Sequence, residues 1–182
     1  VGISIQGLRK DYGEVHAVDG LTVDMYRGEI TALLGHNGAG KTTTMQILTG
    51  GVSPTAGDAT VLGHSIVHDL DTVRKNVAIC PQHNVLWDNL TVAENIRFFA
   101  DLQRTGVLDE EIESIVRKTD LVDRADTRSK ALSGGMKRKL CVGMALIGRP
   151  RVLILDEPTA GLDPESRRAM WDMLQLEKKS KT

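Results

Sequence analysis

Two stretches of the sequence carry residues suited to holding phosphate: GHNGAGKTT, starting at Gly35, and ALSGGMKRKL, from Ala131 to Leu140. The first sets Gly35, Gly40, Lys41 and Thr42 in the order G-x-x-x-x-G-K-[ST], between the strand-like EITALL and the helical TTTMQIL. Glycines let such a loop curl so that successive backbone N–H groups face inward, and the following helix adds the partial positive charge of its N-terminus. Lys41 would reach the β- and γ-phosphates as a point charge, and the Thr42 hydroxyl would ligand Mg²⁺, which prefers oxygen. The plain alternative is an ordinary glycine turn. Four fixed positions match by chance in about 1% of chains this long, and here strand and helix signals also stand on the correct sides.

The second stretch is weaker by itself. Ser133 can cap a helix, Gly134 and Gly135 leave N–H groups bare, and the dipole of the helix that follows would face an anion. Its basic run, Lys137, Arg138 and Lys139, reads as a solvated helix face, with phosphate contact as the lesser alternative. A third group lies in VLILDEP, an apolar run ended by acids and proline, which reads as a strand buried on both faces. Asp156 ends that strand where open α/β sheets place ligands and would hold Mg²⁺ through water. Glu157, one step further, could orient an attacking water as general base. Two acids before Pro158 could equally mark a helix N-terminus, but beside a phosphate loop the chemical reading is stronger.

These groups need elements to position them. ISI, LTVDM, EITALLG, GDATVLG and VAIC read as strands, so the first third is strands around one helix. From Asn89 the period changes. Thr91 and Glu94 form a capping box, and Val92, Ile96, Phe99 and Gln103 share one helical face. A second helix opens at Asp109 with Ile112, Ile115 and Val116 inward, a third begins at Ser133, and PESRRAMWDMLQLEKK reads as another. The tail EKKSKT reads as a frayed end.

Bulk properties narrow the classes. The 182 residues suffice for one sizeable core. The 23 Lys and Arg nearly balance 24 Asp and Glu, so no overall field favours nucleic acid or an anionic membrane surface. Cys80 and Cys141 have no metal or disulfide-framework spacing, which fits a reducing setting. No apolar run approaches the roughly eighteen residues a membrane helix needs. His16, His36, His64, His68 and His83 read as surface or loop histidines.

GHNGAGKTTT, ICPQHN, LSGGM, LILDEPTAGLD and the aromatic of KDYG stand in the order of an ABC-transporter nucleotide-binding domain, which the chain resembles over nearly its whole length. The wording GHNGAGKTTT, CPQHNVLWDNLTVAEN and LSGGMKRKL further resembles the A subfamily, lipid exporters among them, and its first nucleotide-binding domain more than its second. The resemblance implies an α/β fold: a phosphate-loop NTPase core with a mainly parallel sheet, an N-terminal antiparallel β portion and an inserted α-helical subdomain. It implies residues 1–84 and 149–182 as the two parts of the ATP-binding core and 85–148 as the helical subdomain. ATP and Mg²⁺ are the implied cofactors, with hydrolysis coupled to transport.

By that resemblance Tyr12 stacks on adenine. Gly35, Asn37, Gly38, Gly40, Lys41, Thr42 and Thr43 form the phosphate loop, and Thr42, Gln82 and Asp156 serve the metal. Gln82 also touches the attacking water, with Glu157, Lys41 and Gln82 catalytic. Two such domains dimerise head to tail, so Ser133, Gly134 and Gly135 serve the partner's ATP and Asp163 crosses the interface; this explains why one chain carries two phosphate sites. Transmembrane domains are the other implied partner, no nucleic acid is expected, and the segment, itself soluble, would sit at the cytosolic face of a membrane.

Two departures from the family pattern stand out. Met136 replaces the usual Gln of the signature, and no histidine follows Glu157, where the family has a switch histidine. The expectation is a truncated segment that binds ATP and hydrolyses it poorly, with an unprotected sheet edge. A soluble ABC ATPase of DNA maintenance or translation is the alternative, against which stand the absent heptads and basic excess. A degenerate, nucleotide-gated binding module is a third; Lys41, Asp156 and Glu157 argue against it.

Overall fold

The computed structural model describes residues 1–103, 106 and 109–178. Its described residues form two compact units, one built on Val1–Ala78 and one on Ile79–Glu177.

The first unit is a four-stranded antiparallel sheet with two helices. β1 (Ile3–Tyr12) lies between β2 (Val15–Met25) and β3 (Ala56–Val61), and β4 (His64–Ser65) extends the β3 edge. Alternation along β1 buries Ile3 and Ile5, which sit opposite Val61 and Ala59 of β3. The period then slips, so that Leu8 rather than residue 7 is the next to turn inward. Gly57 explains the irregularity on the β3 side, because a Cβ there would lie 2.2 Å from the Gly7 carbonyl oxygen. α1 (Lys41–Leu48) and α2 (Leu70–Asn76) complete the unit.

One expectation fails here. EITALLG forms no strand: residues 29–35 carry no ladder, and Leu34 is 87% exposed. An apolar β-branched run has only a propensity to extend. It becomes a strand when neighbours pair with its backbone and cover its faces, and among the described residues none does so.

The second unit begins within β5 (Val77–Cys80), the sheet neighbour of β6 (Val152–Leu155), and the Asp156 N–H donates to the Cys80 carbonyl at 2.9 Å at their ends. β6 alternates, with Val152 and Ile154 buried and Leu153 and Leu155 half-buried, rather than being buried equally on both faces. Four α-helices make up most of the unit and pack on one another: α3 (Val92–Leu102), α4 (Asp109–Lys118), α5 (Gly134–Ala145) and α6 (Pro164–Glu177). The α4 face Ile112, Ile115 and Val116 is buried as its spacing predicts. The expected frayed tail lies, from Lys179 on, outside the described residues.

The capping box of α3 forms as the sequence predicts. The Glu94 N–H donates to Thr91 Oγ1 at 3.2 Å, and the Thr91 N–H donates to Glu94 Oε2 at 2.8 Å. The inward face differs in detail from the expected one. Val92 and Ile96 are buried, but Asn95 and Ala100 complete the face while Gln103 is exposed at the C-cap. Asn95 is a polar side chain in an apolar stripe because it closes the preceding loop. Its Nδ2 donates to Ser129 Oγ at 2.6 Å and to the Thr91 carbonyl at 2.9 Å, and its Oδ1 accepts from the Trp87 N–H at 2.9 Å. Replacing Thr91 by Ala removes one exposed cap and is expected to cost about 1 kcal/mol in urea unfolding. Asn95→Ala removes a fully buried side chain together with its bonds to the buried Ser129 hydroxyl and to the preceding loop, and is expected to cost about 2–3 kcal/mol.

Candidate functional site

Outside the loop residues Gly35, Asn37 and Gly38, each candidate residue sits at or next to the start of a helix or the end of a strand. In the first unit the phosphate loop leads into α1 through Gly40, whose left-handed φ of 81° ends the loop. No other residue fits there, since a Cβ at Gly40 would stand 2.1 Å from the Ala17 carbonyl oxygen. The Ala39 N–H donates to the His36 carbonyl at 3.1 Å, closing the curl across Asn37 and Gly38. The Lys41 Nζ donates back to the carbonyls of Gly35 at 2.6 Å and His36 at 2.9 Å, so the ammonium lies over the loop. Thr42 and Thr43 follow in the first turn of α1, whose N-cap makes no side-chain hydrogen bond. A helix start left this way is a site for an anion. Tyr12 ends β1 half-exposed, with Lys10 Nζ 5.0 Å from its ring centroid.

In the second unit β5 and β6 end side by side, and the residues just beyond them meet. Gln82 Nε2 donates to Glu157 Oε2 at 2.9 Å. Glu157 holds a left-handed φ of 45°, a costly conformation for a residue with a Cβ, of the kind that clusters at functional sites. Asp156, one residue earlier, is buried while Glu157 is exposed, so adjacent carboxyls face different surroundings.

Ser133 caps α5 as expected, its Oγ accepting from the Met136 N–H at 3.2 Å. The two signature glycines have different physical reasons. Gly134 is exposed with open space at its Cβ position. Gly135 is buried, and a Cβ there would meet Ser166 Oγ at 2.4 Å and Ser166 Cβ at 2.9 Å. The signature is thus packed on the start of α6, where Asp163 Oδ1 accepts from the N–H groups of Glu165 at 3.1 Å and Ser166 at 2.9 Å.

The basic run divides. Lys137 Nζ lies 4.0 Å from Asp88 Oδ1 and Lys139 Nζ donates to Asp120 at 3.2 Å; both lysines are partly covered and reach carboxylates at the surface, so they form a less solvated face than expected. Arg138 contradicts both readings of that run, because it is only 3% exposed and bonds backbone carbonyls. A signal for it exists in the sequence: Arg138 shares a helical face with Cys141, Val142 and Ala145, all buried. Ser166 also goes unnoticed in the sequence, where a serine after an acid reads as ordinary helix-start chemistry.

The donor chemistry suits Mg²⁺ in each unit taken by itself: Thr42 of the first carries a hydroxyl, and Gln82 and Asp156 of the second carry amide and carboxylate oxygens, all hard donors. Among the described residues no three His, Cys, Asp or Glu side chains gather into a cage.

Residues 18–160 match the model of the ABC transporter family. The chain belongs to that family. It is 50% identical over its whole length to a rat protein named phospholipid-transporting ATPase ABCA3, and 46% identical, again over its whole length, to rat ATP-binding cassette sub-family A member 7. It spans 11% and 8% of those two proteins. Among solved structures, an ATP-binding subunit of an ABC transporter superposes with a TM-score of 0.82 at 30% identity, covering 98% of this chain and 75% of that one. CbiO1 of Clostridium perfringens, part of the transporter complex cbiONQ, gives 0.86 at 28% identity, covering 98% and 74%. The resemblance to the A subfamily and the α/β fold expected from it are both borne out. The chain is an ABC ATPase domain.

Two titrations follow from these contacts. Hydrogen bonds from the Ser166 side chain, then its backbone, hold the Asp163 carboxyl below its ordinary value. A depressed carboxyl stabilises the fold above its unfolded-state pKa, and the gain is lost as pH falls through the lower folded value. Asp163→Asn is therefore expected to unfold at lower urea than the parent near neutral pH and to match it well below pH 3.8. Burial raises the Cys80 thiol and pushes Cys141 up to about 12. Both are expected to resist iodoacetamide at pH 8 in the folded chain and to react together once urea unfolds it.

Proposed function

We propose that this chain binds and hydrolyses ATP to drive a membrane exporter of the A subfamily whose cargo is lipid. The observation that carries the hydrolytic reading is the Gln82–Glu157 contact at 2.9 Å, beside the strand-ending Asp156, in an ABC ATPase domain. The whole-length likeness to a phospholipid-transporting ATPase supports lipid as cargo.

In this reading the loop residues Gly35, Asn37, Gly38 and Gly40, with Lys41, Thr42 and Thr43, cradle phosphates through backbone N–H groups and one ammonium. Tyr12 stacks on adenine. Thr42, Asp156 and Gln82 offer oxygen to Mg²⁺, which when bound would neutralise charge building up on the phosphates. Glu157 accepts a proton from the water that attacks the γ-phosphate, and Gln82 orients that carboxylate. Ser133, Gly134, Gly135 and Asp163 serve the nucleotide of a second, head-to-tail domain. Residues 1–84 and 149–182 then act as the ATP core and 85–148 as the helical subdomain. Transmembrane domains are the further partner, and the segment works at the cytosolic face of the membrane. No helix among the described residues is long and apolar enough to cross a membrane.

The test is ATP binding and phosphate release in the presence of Mg²⁺. Glu157→Gln is expected to keep ATP affinity while turnover falls by about 10²–10³-fold, the scale for losing one such transition-state contact. Lys41→Ala is expected to weaken binding itself. A parent chain that binds no ATP, or a Glu157→Gln variant that turns over normally, would sink the reading.

A further inference from the structure

The Arg138 side chain is buried, and the described structure gives it four hydrogen bonds, all to backbone carbonyls. Nη1 donates to Pro81 at 2.5 Å and Gln82 at 3.1 Å, Nη2 to Asp156 at 2.7 Å, and Nε to Pro158 at 3.1 Å. These carbonyls belong to the two segments that leave β5 and β6, two from each. The last backbone rung between those segments is Asp156 N–H to Cys80 carbonyl. Past it both chains reach a proline, Pro81 and Pro158, which has no N–H to extend the ladder. The guanidinium takes over there. Its planar fork of five donors bridges the strands where their own backbones cannot.

We propose that Arg138 is a positioning residue for hydrolysis: it locks the Gln82 and Glu157 backbones at the spacing that lets Gln82 Nε2 reach Glu157 Oε2. This rests on the ATPase reading above. Glu157 needs such a lock because its left-handed backbone would relax if its neighbours let it. Arg138 bonds the residues on both sides of Glu157, Asp156 and Pro158, so the strained residue is pinned from each end. On the other segment it bonds the carbonyl of Gln82 itself. A lysine could not do the same, since a single ammonium has neither the span nor the fixed angles to serve four carbonyls on two chains.

The experiment uses the full-length protein that contains this chain, with Arg138→Met and Arg138→Lys. In nucleotide-free protein, hydrogen exchange is expected to quicken in peptides covering 80–84 and 156–160 and to stay unchanged in α1. In the presence of ATP and Mg²⁺, kcat is expected to fall by about 10–100-fold, the cost of an ångström-scale misplacement, with ATP Kd little changed. Arg138→Lys should not restore the rate. Added to Glu157→Gln, Arg138→Met should cost little more, because both act through one group. If Arg138→Met fails to fold, Arg138→Lys carries the same comparisons. Uniformly faster exchange, an unchanged kcat, or a loss that multiplies fully with that of Glu157→Gln would overturn the proposal. A parent protein that neither binds nor hydrolyses ATP would instead overturn the ATPase reading, while the nucleotide-free exchange would still report whether Arg138 holds the two segments.

Discussion

A buried guanidinium must find acceptors, and just past the ends of β5 and β6 Arg138 finds four backbone carbonyls. The requirement is strict because an unbonded buried carbonyl costs as much as a lost hydrogen bond, and a buried guanidinium without partners costs more. Arg138 and the two strand ends therefore satisfy each other. The prolines at 81 and 158 make this necessary: each ends the ladder by removing a donor while leaving a carbonyl behind. The left-handed turn at Glu157 follows from the same place, since a chain held at Asp156 and Pro158 has little freedom left between them.

The helix starts show a complementary use of the same accounting. Every helix begins with N–H groups that have no partner within it. At α5 Ser133 spends its hydroxyl on the Met136 N–H, and at α6 Asp163 serves two N–H groups. At α1 the N-cap is Gly40, which has no side chain to spend. That contrast distinguishes the two phosphate-like stretches physically. The first has an N-cap residue that offers its helix no side chain, and a lysine laid over the loop. The second is partly capped, presents Gly134 at the surface, and packs Gly135 against the start of α6. The roles proposed for them, principal phosphate loop and surface offered to a second domain, match that difference.

Much of this was legible in the sequence, for identifiable reasons. Capping boxes, glycine-rich helix starts and amphipathic faces are local, so Thr91–Glu94, Ser133 and the α4 face could be read from spacing alone. What could not be read depends on groups distant in sequence. Whether EITALLG becomes a strand is decided by pairing partners, and its own residues carry only a preference. Arg138 bonds residues 18 to 57 positions away, and a charge between two lysines looks like its neighbours. Only its place on the face of Cys141 and Val142 separates it from them. Asn95 was hidden for the reverse reason, as a polar residue whose partners lie in a loop that composition does not locate.

The Gln82–Glu157 contact bears on what Glu157 contributes. Its carboxylate has two oxygens, and Gln82 donates to Oε2. An amide in the place of that carboxylate would still accept from Gln82 through its oxygen, so the geometry of the pair would survive while the charge and basicity would not. Loss of hydrolysis on that change would then be assigned to proton acceptance. Loss on removing Arg138, which leaves the carboxylate in place, would be assigned to its position. In the proposed reading charge and position are separable, because the chemistry is assigned to Glu157 and a different, buried group, Arg138, bonds the backbone on either side of it.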